Sequence, residues 1–262
     1  MSFCMKKIYC SLLIICFFSL AFAYEGIFDK KYKFVFGYQY VQSSVLLQTI
    51  EKEEILLDYN NKPYKYFDKT YKEFRIKNLS TNIFYSFETK PFDKIWYLLY
   101  FELKPSQTIE INNTHKLSST EYGWCAGVGL SFSLFPLTLF SIGIDVYNKI
   151  FFEKFCFNYY VSENDKFKVD TELFNLNILC GINFSKIFWK FIELGCGGEI
   201  LYRNSSLVDK MNFYTVSGKE IVPQAFLSSR IYLSKNESIN LSIKSSLDGN
   251  NFLATITIII GW

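Results

Sequence analysis

The sequence predicts an all-β fold, an antiparallel up-and-down transmembrane β-barrel of about ten strands, with eight the nearest alternative. Three observations predict it. Apolar and polar residues alternate with period two over segments of about ten residues, the mark of a strand with two unlike faces. The polar face is small and glycine-rich, at Gly127, Gly129, Gly143, Gly181, Gly195 and Gly197. Short and long connections alternate along the chain, so they sort to opposite ends. A soluble sandwich or lipocalin-like barrel also alternates, but with its apolar face inward and a solvated outer face. The small polar face and the sorted connections count against it. With 50% hydrophobic and 19% aromatic residues, the chain carries enough apolar surface to coat the outside of a barrel.

The N-terminus sets the compartment. Lys6 and Lys7 precede an apolar run from Ile8 to Leu20, and Ala21-Phe22-Ala23 is a small-x-small cleavage site. Residues 1–23 therefore read as a secretory signal peptide, leaving 24–262 as one barrel domain. No later stretch holds about 18 uninterrupted apolar residues, so a membrane helix is not expected. Three cysteines fall in the signal, Cys4, Cys10 and Cys16. The net charge of +3 is nearly balanced once Lys6 and Lys7 leave, and nothing points to nucleic acid.

Strands are expected at roughly 32–47, 71–88, 95–105, 120–135, 138–150, 171–185, 191–203, 224–234, 238–247 and 251–262 by their alternation. The first has Phe34, Phe36, Tyr38 and Tyr40 on one face. The next two are strand-like in residue type but alternate poorly, which a bulge or an inward aromatic cluster would explain. Further on, Trp124, Val128, Leu130 and Phe132 oppose Cys125, Gly127, Gly129 and Ser131. Short turns are expected near 90–94, 136–137, 186–190 and 235–237, and long polar connections near 49–70, 106–119, 153–170 and 204–222. The link at 248–250 is a short one on the long-loop side.

Centring the turn of the seventh and eighth strands on Phe188 would place Asn183 opposite Glu193, Asn177 opposite Glu199 and Cys180 opposite Cys196. Cys180 and Cys196 would then form either a cross-strand disulfide on the apolar face or two free thiols acting as small hydrophobes. Parity turns five ionisable residues inward: Asp145, Glu193, Glu199, Arg230 and Lys244. A charge facing lipid at mid-depth would cost about 2–4 kcal/mol, so these are expected to pair within the lumen.

The final segment runs Phe252, Ala254, Ile256, Ile258, Ile260 and Trp262 along one face. Phe252, Ile256, Ile258, Ile260 and the aromatic last residue Trp262 resemble the C-terminal signature of small Gram-negative outer-membrane barrels. That resemblance implies recognition by the barrel-assembly machinery, insertion among outer-membrane lipids after signal cleavage, and a monomeric barrel. No single family within that class is matched by motif.

Catalytic chemistry is thinly represented. The single histidine, His115, lies in "NNTHKLSST", expected as an external loop, with no His-x-Ser and no neighbouring Asp. No enzyme activity, cofactor or metal site is expected, since four scattered cysteines and one histidine offer no ligand spacing. Two roles stay open. One is a structural or surface-interaction barrel with a packed lumen, whose long loops meet a surface ligand. The other is a narrow, porin-like channel for ions or small solutes.

Overall fold

The computed structural model describes residues 30–51, 70–92, 94–111, 115–118, 122–135, 137, 142–160, 168–188, 191–209 and 214–262. The expected signal peptide at 1–23 lies outside the described residues. The strands are β1 (Tyr32–Glu51), β2 (Thr70–Phe92), β3 (Ile95–Ile111), β4 (His115–Ser118), β5 (Gly123–Phe135), β6 (Gly143–Tyr160), β7 (Lys168–Phe188), β8 (Ile192–Asp209), β9 (Tyr214–Tyr232), β10 (Glu237–Ser246) and β11 (Phe252–Gly261).

Each strand pairs antiparallel with its sequence neighbour, and β11 returns to β1 from Gly261↔Lys33 to Phe252↔Gln42. Strands β4 and β5 pair with successive stretches of β3, from Ile111↔His115 down to Ile95↔Phe132, and so form one stave. The result is a closed, ten-stranded antiparallel barrel. Closure pairs the first strand with the last, which matters where no water is present to satisfy backbone groups.

The faces are those of an inside-out protein. Large apolar side chains stay exposed on the outer wall, among them Phe34, Tyr38, Leu99, Leu130, Phe184 and Ile256. Polar and charged side chains are buried inside, including Gln39, Asn82, Glu102, Lys104, Glu193 and Arg203. Strand length follows from this alternation, but strands run further toward the long-loop end than expected. β6 reaches Tyr160, β8 reaches Asp209 and β9 starts at Tyr214, inside what reads as loop. Polar residues there, such as Asn204, Ser205 and Ser206, still pair across the ladder with Lys219, Gly218 and Ser217. Likewise His115 opens β4 opposite Ile111 instead of standing in a loop.

The turn between β7 and β8 corrects the expected register. Asn183 faces Gly197, Asn177 faces Arg203, Cys180 faces Ile200 and Cys196 faces Phe184. The offset is an even number of residues, so every side chain keeps its face while changing its partner. Cys180 and Cys196 are therefore not opposite one another, and both are free thiols.

Poor alternation in β2 and β3 has two visible causes. Their register shifts between Thr81 and Ile83 and again between Thr89 and Phe92. Both faces of β3 are apolar over its first six residues, 95–100, because Trp96, Leu98 and Tyr100 take the inward parity; the Tyr100 ring centroid is 5.6 Å from Phe84 and 5.2 Å from Phe151. Inward aromatics also explain part of the glycine-rich face. Phe84, Phe151, Tyr147 and Phe226 each sit directly opposite a glycine, at Gly37, Gly127, Gly181 and Gly197. A Cβ at any of these would meet the partner's ring.

The β10–β11 hairpin is short. Its strands have 10 residues each, against 20 in β1 and 19 in β9. Gly249, with φ of 72°, turns the chain at its tip. Beyond that tip β9 meets β1 directly, at Ser217↔Gln48. Gly218 permits the approach, because a Cβ there would collide with the Leu46 carbonyl. The wall thus narrows toward the long-loop end, where the strands flanking the hairpin come together.

Candidate functional site: a lumen layered from end to end

The lumen is built in three layers. Toward the long-loop end, Val45, Leu47, Ile76, Phe155, Leu173 and Val216 form a dry core inside the barrel, with Leu207 packed against it. All six are at most 5% exposed. Their inward positions follow from the same parity that turns polar residues inward lower down. The narrowed wall brings them into contact.

Below lies a polar layer that crosses the barrel. Gln39 donates to the Tyr100 hydroxyl at 3.2 Å, and that hydroxyl donates to Glu102 at 2.7 Å. Asn82 also donates to Glu102. Lys104 Nζ lies 3.7 Å from Glu102, pairs with Glu153, and sits 4.2 Å from the Phe155 ring centroid. Asn175 and Asn177 donate to Glu153 at 2.9 and 3.2 Å. Arg203 continues the line, donating to Asn177 at 3.2 Å and pairing with Glu220 at 2.9 Å. Buried ions in such a layer repay their desolvation only through contacts of this density.

Arg203 also seals the wall. Above Gln42, β1 has lost its β11 partner and has not yet reached β9. There the Ser44 carbonyl accepts from Arg203 at 2.7 Å, and the Ser44 N–H donates to Asn251 Oδ1 at 3.1 Å. Two side chains replace the missing ladder bonds, as buried backbone groups require.

The third layer opens at the short-turn end and holds the residues singled out from sequence. Glu193 pairs with Arg230 at 3.2 Å and accepts from Tyr232. Glu199 pairs with Lys244 and accepts from Tyr147 at 2.7 Å. Asp145 joins neither pair and accepts from Ser133 at 2.6 Å. The five residues thus make two separate ion pairs and one hydrogen-bonded acid. A cavity of about 560 Å³ lies among them, and a second of about 370 Å³ lies deeper, below the polar layer. On the outer wall, Ile256, Ile258, Ile260 and Trp262 are exposed along β11, with Phe252 at its start. Trp262 stacks on Tyr32 at 6.2 Å.

Sequence reasoning missed the middle layer. Glu102 and Lys104 share the parity of Tyr100 and follow an apolar start to β3, and Arg203 falls two positions beyond Leu201 on the inward face of β8. Carrying the parity count to the strand ends would have found all three.

Fold and lumen together define the class: a ten-stranded barrel of transmembrane type, apolar outside, with polar, aromatic and, toward the long-loop end, aliphatic side chains inside. No family model matches the chain, and no curated protein matches it. Solved structures do match. The translocator domain of the autotransporter NalP from Neisseria meningitidis is similar at a TM-score of 0.50 and 7% identity, covering 98% of this chain and 96% of that one. The outer membrane protease OmpT from Escherichia coli matches at a TM-score of 0.48 and 8% identity, covering 89% and 98%. At these identities the likeness is one of fold alone.

Proposed function

We propose that the protein is a monomeric outer-membrane β-barrel of a Gram-negative-type bacterium, with a packed lumen and a structural or surface-interaction role carried by its connections at the long-loop end. The observation that carries this reading is the dry core of Leu47, Ile76, Phe155 and Leu173 inside the barrel, stacked on the Lys104–Glu153–Arg203 layer. A hydrated path would leave such side chains wet. The exposed aromatic and aliphatic outer wall supports residence in lipid, and the β11 positions up to Trp262 support insertion by a barrel-assembly machinery. The fold likeness to the NalP translocator domain fits the same setting.

The first test is heat-modifiability with planar-bilayer recording. A compact band on unboiled SDS gels that shifts on boiling, with no steady single-channel current, is the expected outcome. A steady current would favour the second reading, a narrow channel, which the two lumenal cavities make the natural alternative. The reading includes no hydrolase activity. Turnover of a peptide or phospholipid by the folded barrel, lost in His115→Ala, would overturn that part.

A further inference from the structure

The charges around the larger cavity do not cancel. Arg230 is matched by Glu193 and Lys244 by Glu199. That leaves Lys33, Lys90, Lys94 and Lys149 facing the same space against Glu88 and Asp145. Neither Lys33 nor Lys149 is in ion-pair contact with a carboxylate among the described residues. Both lie on aromatic rings instead. The Lys33 ammonium is 3.7 Å from the Trp96 ring centroid, and that of Lys149 is 5.1 Å from Tyr147. Lys33 marks the mouth. Lys149 lines both cavities and so stands at the neck between them.

Hydroxyl and amide side chains such as Ser131, Asn183 and Asn240 make up much of the remaining lining. Trp96, Leu98, Leu137 and Phe226 add an apolar patch to the larger cavity. A volume of about 560 Å³ falls in the range of pockets for small organic molecules. Deeper in, the Lys104–Glu153–Arg203 layer and the dry core close the path among the described residues. The space is therefore a blind pocket entered from the short-turn end. Glu88 stands opposite Lys33 across the ladder, yet four lysines still face two carboxylates, and an incoming anion offsets that surplus positive charge.

We propose that this vestibule binds a small amphipathic organic anion, with one carboxylate or sulfonate and an apolar body of one or two rings. The anionic group lies between Lys33 and Lys149. The ring packs on Trp96 and the leucines. This role is independent of the surface role above and needs only the lumen as described.

The test uses the whole barrel in zwitterionic nanodiscs and 4-nitrobenzoate, an aromatic carboxylate that quenches tryptophan. Saturable quenching is expected, absent in Trp96→Phe. Binding weakens tenfold or more in Lys33→Gln and in Lys149→Gln, and the uncharged 4-nitrobenzamide binds at least tenfold more weakly to the wild type. Equal affinity for acid and amide overturns the proposal, as does quenching without saturation or affinity unchanged in both glutamine variants. Every variant is checked for the heat-shifted compact band. Should a glutamine variant not fold, the acid–amide comparison on the wild type still decides. Conductance is read separately, so a current with intact anion binding would sink the packed-lumen reading and leave this one standing.

Discussion

Arg203 does three jobs with one guanidinium: it neutralises Glu220, joins Asn177 to the polar layer, and caps the Ser44 carbonyl where β1 has no strand partner on the side away from β2. Arg203→Ala would leave a buried carboxylate and a wall carbonyl unpaired, a loss of about 3–5 kcal/mol for breaking a buried pair. Urea unfolding of the barrel in detergent is expected to show a midpoint well below wild type. Gly218 tests the same seam by sterics alone. Its missing Cβ is the space that the Leu46 carbonyl occupies. Gly218→Val is expected to part β9 from β1 and cost about 1–3 kcal/mol, as overpacking does. The compact gel band should then convert at a lower temperature.

The β10–β11 hairpin determines where the wall narrows, and its tip is held by one carboxylate. Asp248 accepts from the Ser246 hydroxyl, from the Asn250 N–H at 3.1 Å and from the Asn250 side chain at 2.7 Å. These bonds, that of Ser246 first, hold its pKa below the ordinary 3.8. A depressed carboxyl contributes stability above its unfolded pKa and loses it as pH falls through the folded value. The turn should therefore loosen only in acid, below pH 3.8. Amide exchange at Asn250, corrected for its intrinsic rate, is expected to quicken there. Asp248→Asn should remove that pH dependence.

For the whole molecule, the lumen's order of layers matters more than any one of them. A vestibule, an ionic layer and a dry core follow one another along the axis. Only the core excludes water outright, since the ionic layer is polar throughout. Replacing Phe155 and Leu173 together by alanine empties the centre of that core. Each truncation costs about 2–5 kcal/mol, so the compact band should survive with reduced heat stability. Steady small currents are expected in this double variant where the wild type gives none. If the double variant folds and stays silent, the seal lies elsewhere.

Local pattern determined much of this protein. Period-two alternation set which residues face outward along Phe34–Tyr40, Trp124–Leu134 and Phe252–Trp262, because lipid and lumen impose opposite demands on successive side chains. Parity also placed Asp145, Glu193, Glu199, Arg230 and Lys244 inside. What parity cannot set is which residues meet. The Cys180–Cys196 pairing fails because an even slip changes partners without changing faces. The polar strand ends read as loop because their satisfaction comes from neighbours across the ladder. The dry core, the Arg203 cap and the approach of β9 to β1 all depend on one short hairpin in a closed wall. Closure is a property of all ten staves at once, and so only the tertiary structure decides it.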